Sequence, residues 1–154
     1  MYSVSGFDVA RCAQNFKLAD SSLMIRFNDS TEFDVLSDPV SPIPAEGFRF
    51  RNQTELVGLA NTNTQLPDII EPCHGHRQTR KLIYFDVSVT LSLFDAQAVS
   101  FHQKLGGMHD DPKVIVATSI NPKMVGGRLF LNATSGTHVY YDKETHAGES
   151  LFCR

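Results

Sequence analysis

The 154-residue sequence predicts a mainly β chain: a small five-stranded Greek-key barrel carrying one helix, preceded by a partial hairpin. Short alternations of apolar and polar residues recur at strand length, separated by turn-forming residues. One amphipathic stretch, "DAQAVSFHQKL" at 95–105, has Ala98, Phe101 and Leu105 at helical spacing and is stopped by Gly106-Gly107. A second glycine pair, in "VGGR", marks a hairpin near the end of the pattern.

In chain order, residues 2–36 read as strands. "FDVARCAQNFKLA" and "SLMIRF" are joined at Asp20-Ser21, with "NDST" as a following turn. The expected hairpin spans residues 7–36 and has too few strands to close a barrel. "LSDPVSPIPAEG" carries three prolines and suits neither a helix nor a central strand, so it reads as a linker. "RNQTELVGLANTN" reads as a short helix with Asn52 or Thr54 as its N-cap. "DII" starts a strand that the basic loop at 71–81 interrupts. "LIYFDV" and "SVTLSLF" are two strands meeting near Asp86, or one long bent strand. "KVIVATSINPK" is a strand, Asn121 through Gly127 a turn, and "RLFLNATS" a strand. "THVYYD" extends that last strand or follows a kink at Gly136. The barrel is expected over residues 66–142, with its helix at 95–105.

The totals narrow the function. A hydrophobic fraction of 42% with 20% charged residues supports an ordinary globular domain. The net charge of −3 lacks the positive excess common in nucleic-acid binders, but the charge is segregated. Residues 20–46 hold six acids against the single base Arg26, whereas "CHGHRQTRK" holds Arg77, Arg80 and Lys81 with no acid. Three cysteines, odd in number and far apart, point to reduced thiols inside a cell. The N-terminus lacks the pattern of a signal peptide, and no run reaches the length of a membrane-spanning helix. No nucleophile triad, phosphate loop or metal-hydrolase motif is present, so no catalytic residue is assigned and no enzyme is expected. "CHGH" at 73–76 has soft ligands but no second pair at zinc spacing, so it reads as a loop, with no metal or cofactor expected.

One position stands out. In "VSVTLSLF", Val87, Val89, Leu91 and Leu93 fall on one face; Ser88, Thr90, Ser92 and Phe94 fall on the other. The face expected to meet water therefore ends in an aromatic ring. On pattern alone, Phe94 is a surface residue, a helix-packing residue or a flat platform for a ligand.

The strand, helix, strand, hairpin order is that of the oligonucleotide/oligosaccharide-binding (OB) fold. The residues go further. "VTLSLFDAQAVSFHQKL…VIVATSINPKMVGGRLFLNATSGTHVYYDKE" resembles the second single-stranded-DNA-binding barrel of the large subunit of replication protein A, and looks most like divergent plant versions, many of them associated with transposable elements. "VARCAQNFKLADSSLMIRFNDSTEF…FRFRNQTELVGLANTNTQLPDII" is similar to the end of the preceding barrel and its linker. The resemblance covers nearly the whole chain, strongest over Val87–Asp142 and weakest over 71–86. It implies closing strands of a first OB-fold at 1–38, a linker and short helix at 39–65, and a second OB-fold at 66–154.

The implied function is single-stranded DNA binding in replication, repair or recombination, in the nucleus, with other replication protein A subunits as further partners and neither a membrane nor a small-molecule substrate. Phe94 matches an aromatic that ends this strand in the related barrels and stacks on a base. The family's second aromatic, just before the hairpin glycines, is here Val125. Phe130, on a strand face with Arg128 and Asn132, is positioned to compensate or else belongs to the core. Phe16, beside Lys17, matches a stacking aromatic of the first barrel. Arg80, Lys81, Lys123 and Arg128 are the candidates for phosphate contact. The alternative function is a protein-interaction or assembly fragment that keeps the fold and lacks useful DNA affinity.

Overall fold

A computed structural model describes residues 1–12, 21–38, 41, 43–62, 64–73, 80–84, 87–108 and 113–153. The chain divides into two compact units, Met1–Gly47 and Phe48–Arg154.

The first unit is a long, offset hairpin. Strand β1 (Tyr2–Ser5) pairs with β4 (Glu32–Val35), and β2 (Asp8–Arg11) pairs with β3 (Leu23–Arg26), all antiparallel. The hairpin thus begins at Tyr2, earlier than the expected residue 7. Its arms shift register at Gly6, whose φ of 67° lies in the left-handed region. A side chain there would also strike the Ser30 carbonyl, so only glycine fits. Opposite Gly6, Asn28 Oδ1 accepts from Ser30 N at 2.8 Å and Thr31 Oγ1 accepts from Asn28 N at 2.9 Å. These local bonds make "NDST" the turn its composition implies.

The second unit holds a seven-stranded sheet. Helix α1 (Gln53–Leu59) enters through a capping box: Asn52 Oδ1 accepts from Glu55 N at 3.0 Å, and Glu55 Oε2 accepts from Asn52 N at 2.8 Å. Strands β5 (Ile69–Cys73), β6 (Arg80–Tyr84) and β7 (Val87–Ser92) follow in antiparallel succession. The strand starting at Ile69 thus continues through Cys73 instead of breaking at residue 71, and the 80–92 stretch is two strands rather than one. Helix α2 (Asp95–Gly107) crosses over to β8 (Lys113–Ala117). It passes through both glycines expected to stop it, because Met108 beyond them packs on the core and its N–H donates to Leu105 O at 3.4 Å.

Strands β9 (Asn121–Val125), β10 (Arg128–Asn132) and β11 (Val139–Tyr141) complete the sheet in the order β11-β8-β5-β6-β7-β10-β9. Asn121 through Val125 is therefore strand, not turn. The reversal is confined to Gly126 and Gly127, with φ of 55° and 74°, which suits a two-residue hairpin. β11 is a separate strand paired with β8 and does not extend β10.

β8 and β9 are joined only by residues 118–120, yet lie near opposite ends of the strand order. The sheet must therefore curl round so that one bent segment, β8 into β9, pairs with β5 near one end of the order and with β10 at the other. That is the OB-fold arrangement, with β7 and β10 as its parallel pair and α2 as the crossover between β7 and β8. Leu56, Ile69, Val89, Leu91, Phe101, Ile115 and Leu131 fill the interior. Val114 and Val116 are buried on the other side of β8, where Tyr140 stands opposite Val116 and meets Phe48 edge-on at 6.1 Å. A third helix, α3 (His146–Phe152), has no counterpart in the sequence reading. Thr145 Oγ1 caps it by accepting from Gly148 N at 3.0 Å.

Candidate nucleic-acid interface

Alternation along β7, β10 and β9 builds one outward face. On β7, Val89 and Leu91 are buried while Thr90 and Ser92 are partly open. On β10, Leu131 is fully buried and Leu129 packs on the core, which turns Arg128, Phe130 and Asn132 outward. On β9, Pro122 is buried, whereas Asn121 and Lys123 are half-buried and Val125 is 62% exposed.

Register aligns these residues in rows. Phe130 stands opposite Thr90 on one side and Lys123 on the other. Asn132 stands opposite Ser92 and Asn121, and Arg128 opposite Val125. Phe94 follows β7 after Leu93 and is 54% exposed. Phe130 and Phe94 thus flank the Ser92–Asn132–Asn121 row, each two residues away along its own chain segment. Two strand residues advance about 7 Å, so a polar strip lies between two aromatic groups.

Phe94 is held in place by its surroundings. It is the N-cap residue of α2, in extended conformation, with its carbonyl accepting from Gln97 N at 3.1 Å. Asp95, at φ 47°, begins the helix in the left-handed region, which aspartate tolerates better than most residues. Gln97 Nε2 donates to both Thr134 O and Thr137 O at 3.1 Å, tying the start of α2 to the loop after β10. Beside Phe94, a cleft of about 320 Å³ is lined by Ala96, Gln97, Ala133, Thr134 and Ser135, with Asp95 at its side.

The strand face itself carries basic side chains. Lys123 is half-buried, Arg128 is exposed, and neither pairs with a carboxylate among the described residues. Among the described residues, the ion pairs Arg49–Asp68, Arg51–Glu55 and Lys104–Glu144 involve other side chains. Two cations are therefore available next to the aromatic strip.

Of the other sequence candidates, Lys81 stands opposite Thr90, at the end of the Phe130 row, and Arg80 stands opposite Leu91. Phe16 lies outside the described residues, as do 74–76 of the "CHGH" loop. Thr90, Ser92 and Asn121 are members of the face that the sequence alone does not single out. Their signal is the same period-two alternation that exposes Phe94. Polar residues on an outward strand face draw no notice until register sets them beside aromatic rings.

No protein-family model matches the chain, and no curated protein matches it. Among solved structures, the chain is similar to a chain of a replication protein A heterotrimer bound to single-stranded DNA, with a TM-score of 0.60 and 20% identity. The match covers 97% of this chain and 37% of that one, so the chain spans little more than a third of that neighbour's length. A second solved structure, described as structural mimicry for functional antagonism, overlaps at a TM-score of 0.47 and 11% identity, covering 78% of this chain and 61% of the other. The first likeness shows the fold: the backbone is arranged as in replication protein A.

Proposed function

We propose that the chain binds single-stranded DNA on the outward face of β7, β10 and β9, in the manner of replication protein A and without chemistry of its own. The carrying observation is Phe94, more than half exposed at the end of a face that also holds Phe130 and the cations Lys123 and Arg128, neither of which pairs with a carboxylate among the described residues. Unstacked bases offer flat faces to aromatic rings whatever their identity, and lysine and arginine neutralise the backbone. The setting we infer from the resemblance over Val87–Asp142 is replication, repair or recombination in a nucleus, as a plant-type or transposon-derived form, with other replication protein A subunits as partners.

The test is fluorescence anisotropy with a labelled oligothymidine at two salt concentrations, with duplex DNA as competitor. Binding at low salt that weakens as salt rises, and poor competition by duplex, is the expected result. Folded protein that leaves the oligothymidine unbound at low salt overturns the reading.

A second reading, a protein-interaction or assembly fragment, is favoured by the first unit. Tyr2, Val9, Leu23, Ile25, Phe27, Phe33 and Val35 there are each more than half exposed. Large apolar groups gathered in so small a unit are typical of a protein-contact surface.

A further inference from the structure

We infer that the Ser92–Asn132–Asn121 row makes the face selective among bases, favouring adenine at one position of the bound strand. The inference rests on the single-stranded-DNA reading above. Three observations carry it. The residues stand directly opposite one another on three adjacent strands, so their side chains share one face. The row lies between Phe94 and Phe130, so a base stacked on either ring presents its edge toward the strip. Both asparagine side chains are half-buried, and neither makes a hydrogen bond with any described residue. Partly desolvated polar groups gain most from a partner that supplies the missing bonds.

The chemistry of the carboxamide points to adenine. Asparagine presents an acceptor and a donor side by side. Adenine places its amino donor between two ring-nitrogen acceptors, so it matches a carboxamide from either edge. Cytosine has such a pair on one side of its amino group only. Thymine can also match twice, but its single ring covers less of a phenylalanine than a purine does. Guanine matches through its carbonyl and N1–H; its second such pair, N2–H and N3, lies on the edge that carries the sugar. The asparagines are neutral, so they add base discrimination without adding phosphate affinity.

The experiment measures anisotropy for the full chain with oligothymidines carrying one adenine, guanine or cytosine at successive positions. Single replacements avoid the self-stacking of an all-adenine strand. One adenine position is expected to bind about fivefold tighter than thymine, the lower end for a bidentate amide–adenine pair. The double variant Asn121→Val/Asn132→Val, checked by circular dichroism, should lose that preference, so that it binds the adenine-containing strand and the all-thymine strand equally. Asn132→Asp, which can only accept, should move the preference to guanine, whose N1–H and N2–H are adjacent donors; a purely structural role for Asn132 would not produce that change. Equal binding of all strands by the wild type, or a preference that survives in the double variant, overturns the inference while leaving the DNA reading standing. If no strand binds, the DNA reading itself fails, and the inference falls with it.

Discussion

The backbone N–H of Ser119 donates to the carboxylate of Asp68 at 2.9 Å, joining residues 51 apart at the bend where β8 becomes β9. Ser119 has a φ of 53°, a conformation serine adopts only when its surroundings hold it there. The other Asp68 oxygen accepts from Arg49 N at 2.8 Å, and Ser119 O accepts from Thr134 Oγ1 and Thr137 Oγ1, each at 3.1 Å. A buried carboxylate and two threonine hydroxyls thus satisfy the backbone at the bend through which β8 passes into β9.

Asp68→Ala is expected to destabilise the second unit by about 2–6 kcal/mol, since it leaves two N–H donors without an acceptor at roughly 1–3 kcal/mol each. Asp68→Asn retains one acceptor oxygen and should fall between that variant and the wild type. Urea denaturation followed by far-ultraviolet circular dichroism reads both. A loss below about 1 kcal/mol for Asp68→Ala would show that the bend is held by other means.

Phe94→Ala should weaken single-strand binding by ~1–3 kcal/mol, and Phe130→Ala by a similar or smaller amount because Phe130 is less open. In both variants the slope of log affinity against log salt should stay near the wild-type value, because stacking displaces no counterions. A slope that falls with either ring would mean that the substitution had disturbed the neighbouring cations.

Arg128→Ala and Lys123→Ala should fail in the opposite way. Removing one cation from a single-strand phosphate flattens the salt slope by roughly 0.7, because one fewer phosphate is neutralised and fewer counterions are released. Titrations at several salt concentrations measure this directly. An unchanged slope in both variants would place the phosphates elsewhere, and Lys81, at the far end of the Phe130 row, becomes the next position to substitute.

Much of this face is legible in the sequence because a single physical rule wrote it. Where one side of a strand packs inward, period-two alternation fixes which residues point out, and Val89 through Ser92, with the exposed Phe94 beyond, obey it. The helix at 95–105 is legible for a similar reason, from the spacing of Phe101 and Leu105. Long-range polar bonds leave no such trace: nothing in the neighbourhood of Asp68 signals its bond to Ser119. "KVIVATSINPK" reads as one continuous strand because its break at Ser119 depends on partners from distant segments. Asn61 is a similar case. Its N–H and side-chain amide donate to Pro122 O at 3.3 Å and Met124 O at 3.2 Å, covering the outer edge of β9. β9 itself reads as a turn because "NPKM" has proline and asparagine where strands seldom carry them, and Asn61 bonds to its edge from outside the motif.

Val125 offers a test in the direction of gain. It sits one residue before the hairpin glycines, 62% exposed and directly opposite Arg128, where the resemblance to replication protein A implies an aromatic ring. Valine can touch a base but has no face on which to stack it. Its position next to Gly126, on a surface open to solvent, leaves room for a larger side chain without disturbing the buried Leu129–Leu131 side of β10. Val125→Phe should therefore tighten binding to oligothymidine by about 1–2 kcal/mol, within the range for one base–aromatic stack, with an unchanged salt slope. The gain should persist in Phe130→Ala, because the two rings would occupy different rows of the face. If Val125→Phe folds as the wild type by circular dichroism yet binds no more tightly, the strand does not pass over the hairpin, and its path is confined to Phe94, Phe130 and the polar row between them.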